Sequence, residues 1–339
     1  MESETLLSIQ NVVKHFDISG GFLEQIRFRK GKFTRDQTVV RAVNGVSFDI
    51  KKGETVSVVG ESGCGKSTLA RSVIRLYPPN SGQVFYEGQR IDNLSNAAMK
   101  PFRTKMQMVF QDPYSSLNPR MTVFQTLEEP IRFHNPGISK SEAADRVVDV
   151  MRQVGVDAAW RTRYPHEFSG GQRQRISIAR ALAVDPDFIV ADEPIAALDV
   201  SIQAQILNLL MDLQEERGLT YMFISHDLSV VEHISTNVAV MYLGTLCEFA
   251  ETEQLYESPR HPYTQALLSA IPQLGNKDMN HVRLKGDVPT PIQLPSGCVF
   301  HGRCPHANDR CKTDIPQLIE VSGGSKVACH AVEEGRING

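Results

Sequence analysis

Gly60-Glu61-Ser62-Gly63-Cys64-Gly65-Lys66-Ser67 lies between an apolar run, Thr55 to Val59, and a stretch at 69–76 that reads as helix. Its three glycines let the backbone curl so that successive N–H groups aim at one anion, and the helix that follows contributes its positive end. Strand, glycine loop, helix is the context that a phosphate-binding loop requires. Lys66 then bridges β- and γ-phosphates, Ser67 offers its hydroxyl to Mg²⁺, and Thr68 beside it is a further phosphate donor. Cys64 reads as a small filler of the loop. The chain is therefore expected to have an α/β core that binds a nucleotide.

Other segments extend this reading. Phe188-Ile189-Val190-Ala191-Asp192-Glu193 is an apolar strand that ends in two carboxylates, which strand alternation would send to opposite sides. The runs 188–191 and 221–224 are wholly apolar, as parallel strands buried on both faces are. Ser169-Gly170-Gly171-Gln172 precedes a helical stretch at 173–184, so a hydroxyl and glycine N–H groups stand at a helix N-terminus as a second anion cradle. Gln111 follows Met108-Val109-Phe110, and His226 follows the second apolar strand. Residues 6–16 and 46–50 read as strands, residues of about 97–180 as a helical subdomain inserted into the α/β core, and 201–217 as a helix stopped by Gly218.

In this order the segments resemble one superfamily, the ABC ATPases, over roughly residues 5–260. The resemblance implies a P-loop NTPase core of ABC type with an antiparallel β subdomain. Asp192 would position Mg²⁺ together with Ser67 and Gln111, Glu193 would polarise the attacking water, and His226 would contact the γ-phosphate. In the family, the Ser169–Gln172 segment touches ATP held by the phosphate loop of a second chain, so a head-to-tail dimer is implied. Phe168 replaces the leucine usual before the serine, a change expected to affect packing more than phosphate contact. Ala196 replaces a serine often found before Ala197-Leu198-Asp199, the loop by which two subunits communicate. An aromatic at the end of the first strand stacks on adenine in this superfamily; Phe16 holds that place, with an ordinary core aromatic as the other reading.

The balance of 36 Lys and Arg against 39 Asp and Glu, a net charge of -3, gives no electrostatic argument for nucleic acid. The N-terminus lacks the pattern of a secretory signal, and no apolar run reaches the roughly 18 residues of a membrane span. A reducing compartment is expected, in which the six cysteines do not form disulfides. A basic insertion at 20–41, with Arg27, Arg29, Lys30, Lys32 and Arg35, reads as a solvated loop or as a membrane-surface contact.

After Pro259 the texture changes, which places a boundary near 258 and leaves 259–339 as a C-terminal extension. Cys298, Cys304, Cys311 and Cys329 cluster there with intervals of 5, 6 and 17 residues, a pattern that points to metal. The intervals lack Cys-x-x-Cys pairs; an iron–sulfur cluster, zinc and free thiols are the three readings, with His330 as a rival ligand. With His261-Pro262-Tyr263-Thr264 the arrangement resembles the extension of ATPase subunits from bacterial oligopeptide and dipeptide importers, over about 258–332. That resemblance implies a [4Fe-4S] cluster on the four cysteines and, from Gly63-Cys64-Gly65-Lys66-Ser67-Thr68-Leu69-Ala70-Arg71, the second of two ATPase types. It further implies a heterodimer with a related ATPase, two transmembrane permease subunits, a solute-binding protein reached indirectly, no nucleic acid, and a peripheral place at the cytoplasmic face of the membrane.

The Pro- and Ser-rich stretch Asp112-Pro113-Tyr114-Ser115-Ser116-Leu117-Asn118-Pro119-Arg120 is expected to be irregular, either a permease docking surface or a connecting loop. The function expected is ATP hydrolysis that powers import of peptides or a similar solute. Rival readings are a soluble ABC ATPase acting on nucleic acid or the ribosome, an exporter ATPase, and a P-loop kinase.

Overall fold

The computed structural model describes residues 4–19, 26–29, 32–35, 38–271, 284 and 286–337. The chain divides into two compact units. The first comprises Met1–Thr5, Ile50–Ser57 and Asn93–Ser225; the second comprises Leu6–Asp49, Val58–Asp92 and His226–Gly339.

In the first unit the strands Met106–Val109, Phe188–Asp192 and Thr220–Ile224 lie side by side in parallel, with Phe188 opposite both Met106 and Thr220. All five residues of the second and third strands are buried, as the apolar runs 188–191 and 221–224 within them require, and Asp192 and Thr220 are buried with them. The helices Val123–His134, Lys140–Gln153 and Gly170–Leu182 lie in the region expected to be a helical subdomain, the last running two residues past its end. Val200–Arg217 buries Ile206, Leu209, Leu210 and Leu213 on one stripe and stops at Gly218, whose φ of 65° closes the helix in the left-handed region. Residues 112–120 depart from the expected irregularity. Asp112 accepts from Tyr114 N–H and Pro113 opens a short helix, Pro113–Ser116, because a proline costs nothing at a first helical position.

The second unit contains an antiparallel sheet with strand order Val39–Lys51, Thr5–Asp17, Ser81–Tyr86 and Gln89–Arg90. Thr5–Asp17 pairs Leu7 with Tyr86 and slips register between Gln10 and Val13, where Asn11 has a φ of 49°. Thr55–Val59, which enters this unit at Val58, is followed by the helix Lys66–Val73, which begins three residues before the helical stretch expected at 69–76. The strands Asn237–Tyr242 and Thr245–Glu251 form a hairpin, and Lys326–Val327 adds antiparallel to its outer edge, followed by Ile319–Glu320. The tail is thus paired into a sheet formed by residues before 258.

Of the basic insertion at 20–41, residues 20–25, 30, 31, 36 and 37, with Lys30 among them, lie outside the described residues. Ile26–Arg29 and Lys32–Arg35 pair as an antiparallel hairpin with Phe28 opposite Phe33. The alternation of apolar and basic residues in Ile26-Arg27-Phe28-Arg29 is a strand pattern that the run of charge obscures. Among the described residues no helix is long and apolar enough to cross a membrane.

Candidate functional site

In the second unit the phosphate loop leaves a fully buried strand end, Val58 and Val59. Gly60 has a φ of 145°, and a Cβ there would lie 2.1 Å from the Met241 carbonyl oxygen; Gly65, at 105°, would meet the Ala42 carbonyl oxygen at 2.0 Å. Both positions are closed to any side chain by conformation and by space. Gly65 caps the helix Lys66–Val73 without a side-chain bond. Lys66 is 5% exposed, and its Nζ donates to the carbonyl oxygens of Gly60 at 2.8 Å and Glu61 at 3.1 Å. Cys64 is buried, as a filler should be, and burial raises its thiol pKa against the opposing charge of Lys66. Ser62 and Gly63 are exposed, and Ser67 and Thr68 are half-buried at the start of the helix.

Phe16 is half-buried with its ring 5.4 Å from that of Tyr77, edge to face, and Lys14 Nζ lies 5.0 Å from its centroid. Tyr77 is thus a second aromatic beside the expected adenine platform, and no periodicity in the sequence marked it. His226 is exposed, and Asp227 next to it caps the helix Leu228–Ile234 by accepting from Ser229 N–H.

In the first unit Asp192 is fully buried at the end of its strand, whereas Glu193 is half-buried. The strand pleat is not what separates the two carboxylates. Glu193 lies beyond the last strand residue with a φ of 47°, a left-handed conformation that costs a non-glycine residue energy and is typical of functional positions. Its N–H donates to the Ile224 carbonyl at 3.0 Å, and its Oε2 accepts from Gln111 Nε2 at 2.8 Å. The structure therefore brings together two of the four residues expected to act in catalysis.

Ser169 caps the helix Gly170–Leu182 in a reciprocal box: Gln172 N–H donates to Ser169 Oγ at 3.3 Å and Ser169 N–H to Gln172 Oε1 at 2.9 Å. Ser169 is exposed and Gly170 half-buried. Gly171 is buried, and a Cβ there would lie 2.4 Å from Ile202 Cγ2 on the helix Val200–Arg217. Phe168 is buried with its ring 6.0 Å from that of Trp160. Arg173 stacks 3.6 Å over Tyr114 and donates to the Pro165 carbonyl at 3.1 Å, so the helix Pro113–Ser116 is fastened to the Ser169 helix.

The tail cysteines stand on short loops: Cys298 N–H donates to the Cys311 carbonyl at 2.8 Å, Asn308 caps the turn holding Cys311, and Cys329 opens the helix His330–Glu333. Each of Cys298, Cys304, Cys311 and Cys329 is an electrostatic neighbour of the other three. Burial pushes the thiols of Cys298 and Cys304 up to about 11 and raises that of Cys329. Among the described residues no group of three or more His, Cys, Asp and Glu side chains closes on a single metal ion. His330 is also withdrawn as a ligand: it is buried, with Nε2 3.0 Å from the Asp314 carbonyl and Nδ1 3.3 Å from Glu333.

The family model for ABC transporters matches residues 43–196, and that for the oligopeptide/dipeptide transporter C-terminal region matches residues 247–311. The oligopeptide transport ATP-binding protein AppF of Bacillus subtilis is 51% identical over 96% of this chain and 97% of its own length. The chain belongs to the ATP-binding proteins of the oligopeptide/dipeptide transporter family. Within that family the dipeptide transport ATP-binding protein DppF of Escherichia coli is 48% identical, covering 98% of this chain and 96% of its own. The dimeric post-hydrolysis state of the ATP-binding cassette MJ0796, bound to ADP and Pi, superposes with a TM-score of 0.62 at 28% identity, covering 73% of this chain and 99% of that one. The ABC ATPase fold expected from the motifs, with its antiparallel sheet and helical subdomain, is the fold observed.

For this member of the oligopeptide/dipeptide transporter ATP-binding family, sequence reading missed contacts that reach the phosphate loop from the C-terminal region. Arg303 forms a two-point ion pair with Glu61, and the Tyr263 hydroxyl accepts from Glu61 N–H at 2.9 Å. No spacing rule links residues 242 positions apart. The one available signal was the single basic residue set immediately before Cys304.

Proposed function

We propose that this protein is the ATP-hydrolysing subunit that powers import of dipeptides or oligopeptides through a membrane permease. The observation that carries the reading is the presence, in one chain, of a nucleotide cassette and the extension of peptide transporters. Its relatives, which bear the names of oligopeptide and dipeptide transport ATP-binding proteins, support the solute class.

In this reading the backbone of residues 60–65, with Lys66 and Thr68, holds the triphosphate, and Phe16 packs against adenine. Glu193 acts as general base on the attacking water, oriented by the Gln111 amide, and His226 contacts the γ-phosphate. Ser67, Gln111 and Asp192 offer hydroxyl, amide and carboxylate oxygens, a hard donor set that suits Mg²⁺. When bound, the ion would offset the charge of the phosphates. Ser169 to Gln172 would meet ATP held by a second, homologous ATPase; the exposure of Ser169 supports that role.

Residues 1–258 form the nucleotide-binding domain and 259–339 the extension in this proposal. Two transmembrane permease subunits are the further partners, docking at 112–120, with a solute-binding protein acting through them at the far side. The subunit would lie peripherally at the cytoplasmic face of the membrane. Cys298, Cys304, Cys311 and Cys329 would hold a [4Fe-4S] cluster. The gathering of four of the six cysteines between 298 and 329 is what supports that reading.

Reconstitution with the permease in vesicles tests the proposal. ATP-driven uptake of a labelled di- or oligopeptide is expected. Purification with ribosomes or nucleic acid, without two membrane proteins, would overturn it.

A further inference from the structure

Glu61, the second residue of the phosphate loop, is held at both its side chain and its backbone by residues that lie more than one domain's length away in sequence. Arg303 Nη1 donates to Glu61 Oε2 at 2.8 Å and Nη2 to Oε1 at 3.1 Å, with the two side chains 10% and 25% exposed. Arg303 Nη1 also lies 3.4 Å from the Tyr242 hydroxyl, and the guanidinium sits 5.7 Å from the Tyr242 ring. The Tyr263 hydroxyl accepts from Glu61 N–H, while the Glu61 carbonyl accepts from Lys66 Nζ. Tyr242, Tyr263 and Phe300 pack on one another with ring centroids 4.8 to 5.4 Å apart, which gives the arginine a stiff apolar seat. All of these residues belong to the same compact unit.

We propose that Arg303 is a positioning residue for nucleotide binding, acting through Glu61. The inference rests on the reading that residues 60–68 bind ATP, and deepens it. A loop that must receive a triphosphate carries a carboxylate at its second position, and an unpaired carboxylate there repels the ligand. The arginine fork cancels that charge and, by gripping both oxygens, also fixes where the loop backbone lies. A lysine at 303 would supply the charge without the two-point grip. The tail is therefore part of the nucleotide site's electrostatics, and a change in the loop between Cys298 and Cys304 would be felt at Glu61.

The experiment measures equilibrium ATP binding, and KM against kcat for hydrolysis, in the full chain and in Arg303→Gln, Glu61→Gln and the double variant. Arg303→Gln should weaken ATP binding by about fivefold or more and raise KM with kcat little changed, and the deficit should shrink as salt is added. Glu61→Gln in the same chain should restore most of the lost affinity, because the repulsive charge is gone. A tail that merely misfolds would bind poorly in both backgrounds, so failure of Glu61→Gln to rescue overturns the proposal. Unchanged affinity in Arg303→Gln overturns it as well while leaving the ATPase reading intact. A wild-type chain that binds no ATP would bring down both.

Discussion

Gln111 Nε2 donates to Glu193 Oε2 at 2.8 Å, joining two residues 82 positions apart. The amide fixes the carboxylate that is proposed to take a proton from water, and Glu193 holds a left-handed φ just beyond the strand that carries Asp192.

Glu193→Gln is expected to leave ATP binding intact and to slow hydrolysis at its own site by ~10²-fold or more, since a positioned base is lost. Gln111→Ala should lower kcat by a smaller factor, of roughly tenfold, because the base remains but is less well aimed. Single-turnover phosphate release beside nucleotide binding checks both. Full turnover in Glu193→Gln would remove the base assignment.

Gly171→Ala should destabilise the first unit by about 1–3 kcal/mol, because its new methyl would meet Ile202 Cγ2 at 2.4 Å. The lesion and Ile202→Ala share one contact, so their combined loss should fall below the sum of the separate losses. Urea midpoints of the four chains measure this. Simple additivity would mean that the helices Gly170–Leu182 and Val200–Arg217 do not meet there.

Burial alone holds His261 neutral, with its pKa pushed down to about 3, while its Nδ1 accepts from Tyr263 N–H at the start of the helix Pro262–Leu268. The unfolded histidine titrates near 6.5, so between about pH 6.5 and 3 the unfolded chain takes up a proton that the folded chain refuses. Stability is thus complete above that window and is lost as pH falls through it. His261→Asn keeps a cap acceptor and removes the titration, so its stability should decline less between pH 7 and pH 5.5 (roughly half a unit to one unit either side of the unfolded value). Buried Glu248, whose pKa is raised by its burial, works in the opposite sense and is common to both chains.

Anaerobically purified protein should contain iron and sulfide in roughly equal amounts, about four of each per chain. Cys298→Ser and Cys311→Ser should each lower both. Elemental analysis that finds zinc without iron would reject the cluster.

Much of the first unit's secondary structure could be read from local pattern. The strand Phe188–Asp192 is apolar up to its final carboxylate and bounded by a turn, and the Val200–Arg217 helix shows its stripe and its glycine stop in sequence alone. The glycine turn at 60–65 was equally plain, because glycine spacing is itself the constraint that Gly60 and Gly65 satisfy. What escaped was long-range. Arg303 with Glu61, Tyr77 with Phe16 and Lys326 with Phe249 are pairings that no periodicity encodes. The short helix Pro113–Ser116 was missed for another reason: a proline that ends helices elsewhere begins this one, behind an aspartate cap.

The pairing of Lys326–Val327 with Thr245–Glu251 bears on any shortened form of the protein. Cutting the chain at residue 258 would not trim an ornament: it would bare the backbone donors and acceptors along one rim of a sheet, an invitation to self-association. Such a fragment should come out of cells as clumps, and its loss of activity would then say more about sticky strands than about sulfur or iron.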